Sequence, residues 1–175
     1  PDSLQAIITD TTDAVCSYSA DGQAIVTPIG GTGLYSYDWY DVLGGDNDSV
    51  ASGITPGTYH VEVKDINGCI DTGEVVINSP EALNLASDSI VSTCSGICTG
   101  SAIVIPSGGV MPYFYNWYNA GNQTNDTASN LCAGIYGVEV TDALGCIDTA
   151  DVIVTEPVTI IASAVDSSAV TCHGG

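Results

Sequence analysis

Basic residues are almost absent from this sequence. Its 175 residues hold a single Lys or Arg, Lys64, against 21 acidic ones, for a formal net charge of −20. One cation cannot neutralise a run of phosphates, so nucleic-acid binding is excluded, as is docking on anionic membranes. No hydrophobic run approaches the roughly 18–20 residues a spanning helix needs, so membrane insertion is not expected. Pro1-Asp2-Ser3 begins no leader with a basic region and an apolar core, so any targeting signal is expected outside this stretch. Catalytic equipment is equally sparse. The histidines number two, His60 and His173. No Gly-x-Ser-x-Gly elbow occurs, and a hydrolase needs a nucleophile with a positioned base. The chain is therefore expected not to be an enzyme. Helical periodicity is missing throughout.

What is present points to a folded chain. Hydrophobic residues make up 45 % of it and the charges are mostly isolated, so disorder does not follow from the acidity. The charge instead serves solubility and keeps copies apart. Seven cysteines indicate an oxidising compartment and disulfides. Zinc is not expected, because the one C-x3-C pair, Cys94 and Cys98, has no second pair or histidine at zinc-finger spacing.

The strongest signal is internal repetition. Cys16, Cys94 and Cys172 recur at one constant interval, and Trp39 and Trp117 are separated by the same interval. Gly57/Gly134, Tyr59/Tyr136, Asp65/Asp142, Gly68/Gly145, Cys69/Cys146 and Pro80/Pro157 pair at an interval shorter by one. One residue has therefore been lost in the segment Tyr118–Cys132, which reads as a loop, where deletions cost least. The organisation expected is a repeat over 1–79, a second over 80–156, and the start of a third, incomplete one over 157–175. The stretch would then be part of a longer array.

Each repeat reads as short strands between turns. Gln23–Pro28 and Ser101–Pro106 end at Gly30-Gly31 and Gly108-Gly109. Alternation puts Tyr37 with Trp39 on one face, and Tyr115 with Trp117. Tyr59–Lys64 and Tyr136–Thr141 alternate apolar and polar, as half-buried antiparallel strands do. The last strands follow at Cys69–Asn78 and Cys146–Thr155. This pattern predicts an all-β chain of tandem Ig-like antiparallel β-sandwich repeats, stabilised by disulfides. Trp39, Trp117, Tyr59 and Tyr136 are the expected core anchors, the tyrosines at tyrosine-corner positions.

Gly-Gly-x-x-x-Tyr-x-Tyr-x-Trp (Gly30–Trp39, Gly108–Trp117), Gly-x-Tyr-x-Val-x-Val (Gly57–Val63, Gly134–Val140) and Asp-x-x-Gly-Cys (Asp65–Cys69, Asp142–Cys146) occur in this order, behind an opening cysteine and ahead of a closing proline. Together they resemble the SprB repeat of very large surface adhesins of gliding and marine Bacteroidota. Repeat 1 departs from the pattern with Leu34 where repeat 2 has Pro112, which bears on that loop's conformation. The resemblance implies Ig-like modules, cell-surface display after type IX secretion, and no catalytic activity. It also implies O-glycan candidates at Asp-Ser/Thr steps, namely Ser3, Thr11, Ser49, Ser89, Thr127 and Thr149. The alternative there is local turn chemistry, since Asp, Ser and Thr side chains bond nearby backbone.

Six cysteines are disulfide candidates: Cys16, Cys69, Cys94, Cys146, Cys98 and Cys132. Cys98 and Cys132 fall on Ala20 and Thr55 of repeat 1, so they are present together and absent together. Their pairing leaves Cys16–Cys69 and Cys94–Cys146 as a shared bond, each worth about 4 kcal/mol from loop entropy. An Ig strand order sets these last two turns at opposite ends, beyond the roughly 7 Å a disulfide spans. Either the first strand is short and irregular or the pairing differs. Cys172 has no partner in this stretch.

Among other sites, Asp41, Asp46 and Asp48 are weak calcium candidates beside a solvated-loop reading, and no other cofactor is expected. Lys64 points outward and Thr141 replaces it, which argues against an intramolecular isopeptide bond. Two functions compete. One is a structural and adhesive segment of an extracellular filament, a rigid spacer that displays a binding tip. Its partners are neighbouring repeats, identical chains in a fibre, and surface glycans or other cells reached through regions beyond this stretch. The other is a carbohydrate-binding accessory module of a secreted enzyme, with Tyr40 and Tyr118 as its platform.

Overall fold

A computed structural model of the chain describes residues 2–42, 47–91 and 94–163. Every regular element in these residues is a β-strand. The first six are β1 (Gln5–Thr12), β2 (Gly22–Ile29), β3 (Ser36–Asp38), β4 (Val50–Ile54), β5 (Gly57–Lys64) and β6 (Ile70–Ile77). The next six repeat them: β7 (Asn84–Ile90), β8 (Gly100–Ser107), β9 (Phe114–Trp117), β10 (Thr127–Leu131), β11 (Gly134–Thr141) and β12 (Ile147–Val154). They form four antiparallel three-stranded sheets, ordered β1-β2-β4 and β3-β5-β6, then β7-β8-β10 and β9-β11-β12. In each half the first strand pairs with the second, while the fifth lies between the third and the sixth. That is the Ig arrangement of two facing sheets.

Two cores result. Ala24, Val26, Trp39, Ala51, Ile54, Tyr59, Val61, Val63, Val75 and Ile77 pack in the first. Ala102, Val104, Trp117, Ala128, Leu131, Val138, Val140, Val152 and Val154 pack in the second, with Tyr136 partly buried against it. Trp39 and Trp117 are both 0 % exposed. Their indole N–H groups are not left unmet: Trp39 Nε1 donates to the Asp48 carbonyl at 3.0 Å and Trp117 Nε1 to the Asn125 carbonyl at 2.8 Å. The tyrosine corners are present as backbone ties. Tyr59 Oη donates to the Thr55 carbonyl at 2.8 Å, and Tyr136 Oη to the Cys132 carbonyl at 3.1 Å.

The loop in which the two repeats differ in sequence has two solutions. Leu34 adopts φ 66°, whereas Met111–Pro112 is a cis peptide. The same tyrosine follows in both, and β3 and β9 start at equivalent residues, Ser36 and Phe114.

Candidate functional site: the repeat poles and their junction

The motif residues converge at one end of each sandwich. Gly30 and Gly108 begin the Gly-Gly turns at φ 72° and 67°. A side chain there would run into the Ser3 or Ala82 carbonyl, so glycine is required on both counts. Tyr35 Oη donates to the Gly30 carbonyl at 2.7 Å and Tyr113 Oη to the Gly108 carbonyl at 2.6 Å. This contact is the physical content of the Gly-Gly-x-x-x-Tyr spacing.

A buried aspartate joins that turn to the cysteine turn. Asp65 accepts from the N–H groups of Thr32 at 3.0 Å, Asn67 at 3.0 Å and Cys69 at 2.8 Å. Asp142 accepts from Val110, Leu144 and Cys146, each at 2.9 Å. Both are nearly inaccessible, at 4 % and 2 % exposure. Burial pushes each carboxyl up, but the converging backbone N–H groups outweigh it, and both end below the ordinary 3.8. These aspartates stay ionised and hold the Asp-x-x-Gly-Cys turn in one shape.

The opening cysteine sits at the other end. Cys16 lies on a turn closed by Ser19 N–H to the Cys16 carbonyl at 3.1 Å. Ser19 Oγ accepts from the Cys16 N–H at 2.9 Å and donates to Asp21 at 2.6 Å. The Ser19 hydroxyl, with the Val15 N–H, lowers the Asp21 pKa. Ala14 N–H donates to the Asn78 carbonyl at 2.9 Å, which fixes this loop beside the end of β6.

The bond that Cys16 makes corrects the expected pairing. Cys16 is bonded to Cys146, across a sequence separation of 130, with Cα atoms 5.7 Å apart. Neither Cys16–Cys69 nor Cys94–Cys146 is formed. The two cysteines of one sandwich sit at opposite poles, out of reach, and the partner within reach is on the next sandwich. Cys16 and Cys146 are 7 % and 5 % exposed, whereas Cys69 is an exposed free thiol. Around the bond, the Ile147 N–H donates to Tyr18 Oη at 2.9 Å, and the Cys146 sulfur lies 3.5 Å from the Val15 carbonyl oxygen. Cys98 and Cys132 are bonded to each other within the second sandwich. Cys94 is exposed, and Cys172 lies outside the described residues.

A family model for the SprB repeat matches residues 8–44. Over that stretch the chain is similar to a SprB repeat. It is thereby placed with adhesin-type extracellular repeats. The match runs from β1 of the SprB unit through the Cys16 loop, the Gly-Gly turn and Trp39. The second unit repeats that layout strand for strand. No curated protein matches the chain. Among solved structures, the N-terminal four Ig domains of Dscam1 isoform 6.44 share 13 % identity at TM-score 0.34, covering 90 % of this chain and 47 % of that one. The mouse nectin-like molecule 4 ectodomain, Ig1–Ig3, shares 10 % at 0.36, covering 93 % and 67 %. The amphioxus IgVJ-C2 molecule shares 11 % at 0.34, covering 82 % and 99 %. The chain spans about half the length of the Dscam chain it matches.

The remaining candidates lie on the sheet faces. His60 Nδ1 sits 2.6 Å from Asp41 and Nε2 3.2 Å from Glu74, while its ring stacks on Tyr40 at 5.8 Å between centroids. The hydrogen bond to Asp41 raises the His60 pKa, aided by the charge of Asp41 and by Glu74, against an opposing effect of burial. Asp41 is thus engaged with the histidine and with the His60 N–H, at 3.0 Å. Asp48 accepts from the Ser49 N–H. Asp46 and His173 lie outside the described residues, which contain no group of three or more potential metal ligands. Gly137 replaces His60 in the second unit, and Tyr118, 41 % exposed against 55 % for Tyr40, lines an open groove of about 300 Å³ with Gly137, Thr149 and Asp151. The Tyr118 hydroxyl donates to Glu139 at 2.7 Å.

Four of the six glycosylation candidates share one local geometry. Thr11, Ser49, Ser89 and Thr149 each donate their backbone N–H to the preceding aspartate at 2.7–2.9 Å. The Thr127 hydroxyl donates to Asp126 at 3.0 Å. Ser3, Thr11 and Thr149 are exposed, the other three partly so. No helix among the described residues is long and apolar enough to cross a membrane.

Proposed function

We propose that this chain is a spacer segment of an extracellular surface filament or adhesin, built of in-line repeats over 1–79 and 80–156 with a further one opening at 157. It carries no catalytic role and holds a binding tip away from the cell. One observation carries this reading: the Cys16–Cys146 disulfide joins the far pole of one sandwich to the near pole of the next. A flexible tether would leave two sandwiches free to swing. A bond at the poles, beside the short connection through Pro80, removes most of that freedom. Pro80 itself stiffens the connection. The charge of −20 keeps parallel filaments apart at low salt. Near-absence of Lys and Arg leaves trypsin-like proteases one site.

Small-angle scattering of the chain tests the reading. An oxidised chain should scatter as a stiff rod, and reduction should broaden its distance distribution. An oxidised chain that scatters as a collapsed globule would sink the spacer reading. A second reading, a carbohydrate-binding accessory module, has the open groove beside Tyr118 on its side. A glycan array on which Tyr118→Ala abolishes binding would support it, and an array with no binding would remove it.

A further inference from the structure

Cys69 occupies the same position on repeat 1 that Cys146 occupies on repeat 2. Both follow a buried aspartate in the Asp-x-x-Gly-Cys turn, and both donate their N–H to it, at 2.8 and 2.9 Å. The aspartate accepts from the residue after the Gly-Gly turn in each case. The turn also closes identically, with the aspartate N–H on the cysteine carbonyl at 3.0 and 2.9 Å. One member of this matched pair is 5 % exposed and bonded to the opening cysteine of the repeat before it. The other is an exposed thiol. Its pole also presents Ile66 and Ile70 to solvent at 61 % and 52 %. The linker docks in the same way at both poles: Gly31 N–H donates to the Asp2 carbonyl and Gly109 N–H to the Glu81 carbonyl, each at 2.9 Å.

We propose that Cys69 is a receiving site for the opening cysteine of another SprB-type repeat set in line before this one, so that disulfides staple junction after junction. The partner is a loop of the Cys16 kind on a repeat joined through a Ser-Pro step like Ser79-Pro80. Two thiols give up two protons and two electrons, and a disulfide oxidant takes them and leaves as two thiols. The inference rests on the in-line reading of the repeats. It adds that the near pole is built to be covalently occupied.

The test extends the whole chain by placing a copy of residues 1–79 in front of Pro1. The leading copy carries Ser17→Thr as a mass marker, and the chain is refolded in a glutathione redox buffer. In the chain without the extension Cys69 should alkylate freely. In the extended chain the second copy's Cys69 should fall at least about tenfold in alkylation and appear by mass spectrometry linked to the leading copy's Cys16. The leading copy's own Cys69 stays reactive as an internal control. Cys16→Ser in the leading copy should restore alkylation at the second copy's Cys69 while circular dichroism stays unchanged. If the Cys16–Cys146 bond forms and the second copy's Cys69 still alkylates freely, the inference is wrong and the in-line reading survives. If neither bond forms in a folded chain, both fall.

Discussion

The two sandwiches share a core almost residue for residue, yet they brace the far-pole loop by different means. In the first, Ser19 and Asp21 hold the Cys16 turn through hydrogen bonds, and its disulfide runs to the next sandwich and not back to its own. In the second, the corresponding turn keeps its Ile97 N–H to Cys94 carbonyl contact. There Glu156 accepts from the Gly96 N–H at 2.8 Å and from Ser95 Oγ at 3.2 Å. The Cys98–Cys132 bond ties the same loop to the strand edge beneath the tyrosine corner. By contrast the near pole keeps one hydrogen-bonded frame: the tyrosine hydroxyl on the Gly-Gly turn and the aspartate on the cysteine turn recur in both units. The shape of the receiving end is thus fixed, and the presenting end admits several solutions provided its cysteine stays at the pole.

Breaking either core should show how independent the two sandwiches are. Trp39→Ala removes the largest fully buried side chain of the first unit and should cost about 4 kcal/mol. In calorimetry it should lower one transition and leave the other near its original temperature, with Trp117→Ala doing the reverse. A uniform shift of both transitions would mean that the junction couples the two units into one. Giving the second unit the first unit's residues, Cys98→Ala with Cys132→Thr, should remove about 3–4 kcal/mol from its transition alone. An unchanged denaturation midpoint would show that Glu156 suffices as a brace.

The fixed pole can be probed by pH. Asp142→Asn should cost about 2 kcal/mol at neutrality, since a charged acceptor of three backbone N–H groups is replaced by a neutral one. The folded pKa of Asp142 is depressed, so its stabilisation is present above the ordinary 3.8 and is lost as pH falls through the lower folded value. The gap between wild type and variant should therefore hold steady down to about pH 4 and close below it. A gap that persists in strong acid would assign the effect to shape instead of charge. The smallest effect is expected at His60, whose pKa is raised. Its contribution is full below 6.5 and is lost as pH rises through the folded value. His60→Gly, which copies the second unit, should erase a slight alkaline decline in the first transition. A decline that survives the substitution would point to another group.

Much of the fold can be read from spacing. Two tryptophans set one repeat apart, and valines alternating from Val61 and from Val138, define the inner faces of β5 and β11. β1 and β7 are harder to read, because their burial alternates weakly and β1 carries a register shift between Ile8 and Asp10. The disulfide connectivity is the main loss. Pairing cysteines inside a repeat is the natural reading of a repeat, and the conflict with Ig geometry is the signal against it. Opposite poles of one sandwich are adjacent poles in a stack, so Cys16 and Cys146 are the pair that geometry allows. The role of the motifs is also hidden. Nothing in Gly-Gly-x-x-x-Tyr or Asp-x-x-Gly-Cys states that both belong to one end, because the Asp65 contact to Thr32 spans a sequence separation of 33.

The position of the Cys16–Cys146 bond also sets how far the chain can be drawn out. Tension applied between Asp2 and Glu156 passes along the short lead to Cys16, crosses the sulfurs, and leaves along the short segment that follows Cys146. Everything between the two cysteines, a sequence separation of 130, hangs outside that path as a closed loop. Even with both sandwiches unravelled, the oxidised segment would extend to about 90 Å, against about 540 Å for the reduced chain at roughly 3.5 Å per residue. A single covalent bond thereby caps the reach of the oxidised segment at about one sixth of what the reduced chain would allow, whatever becomes of its two cores.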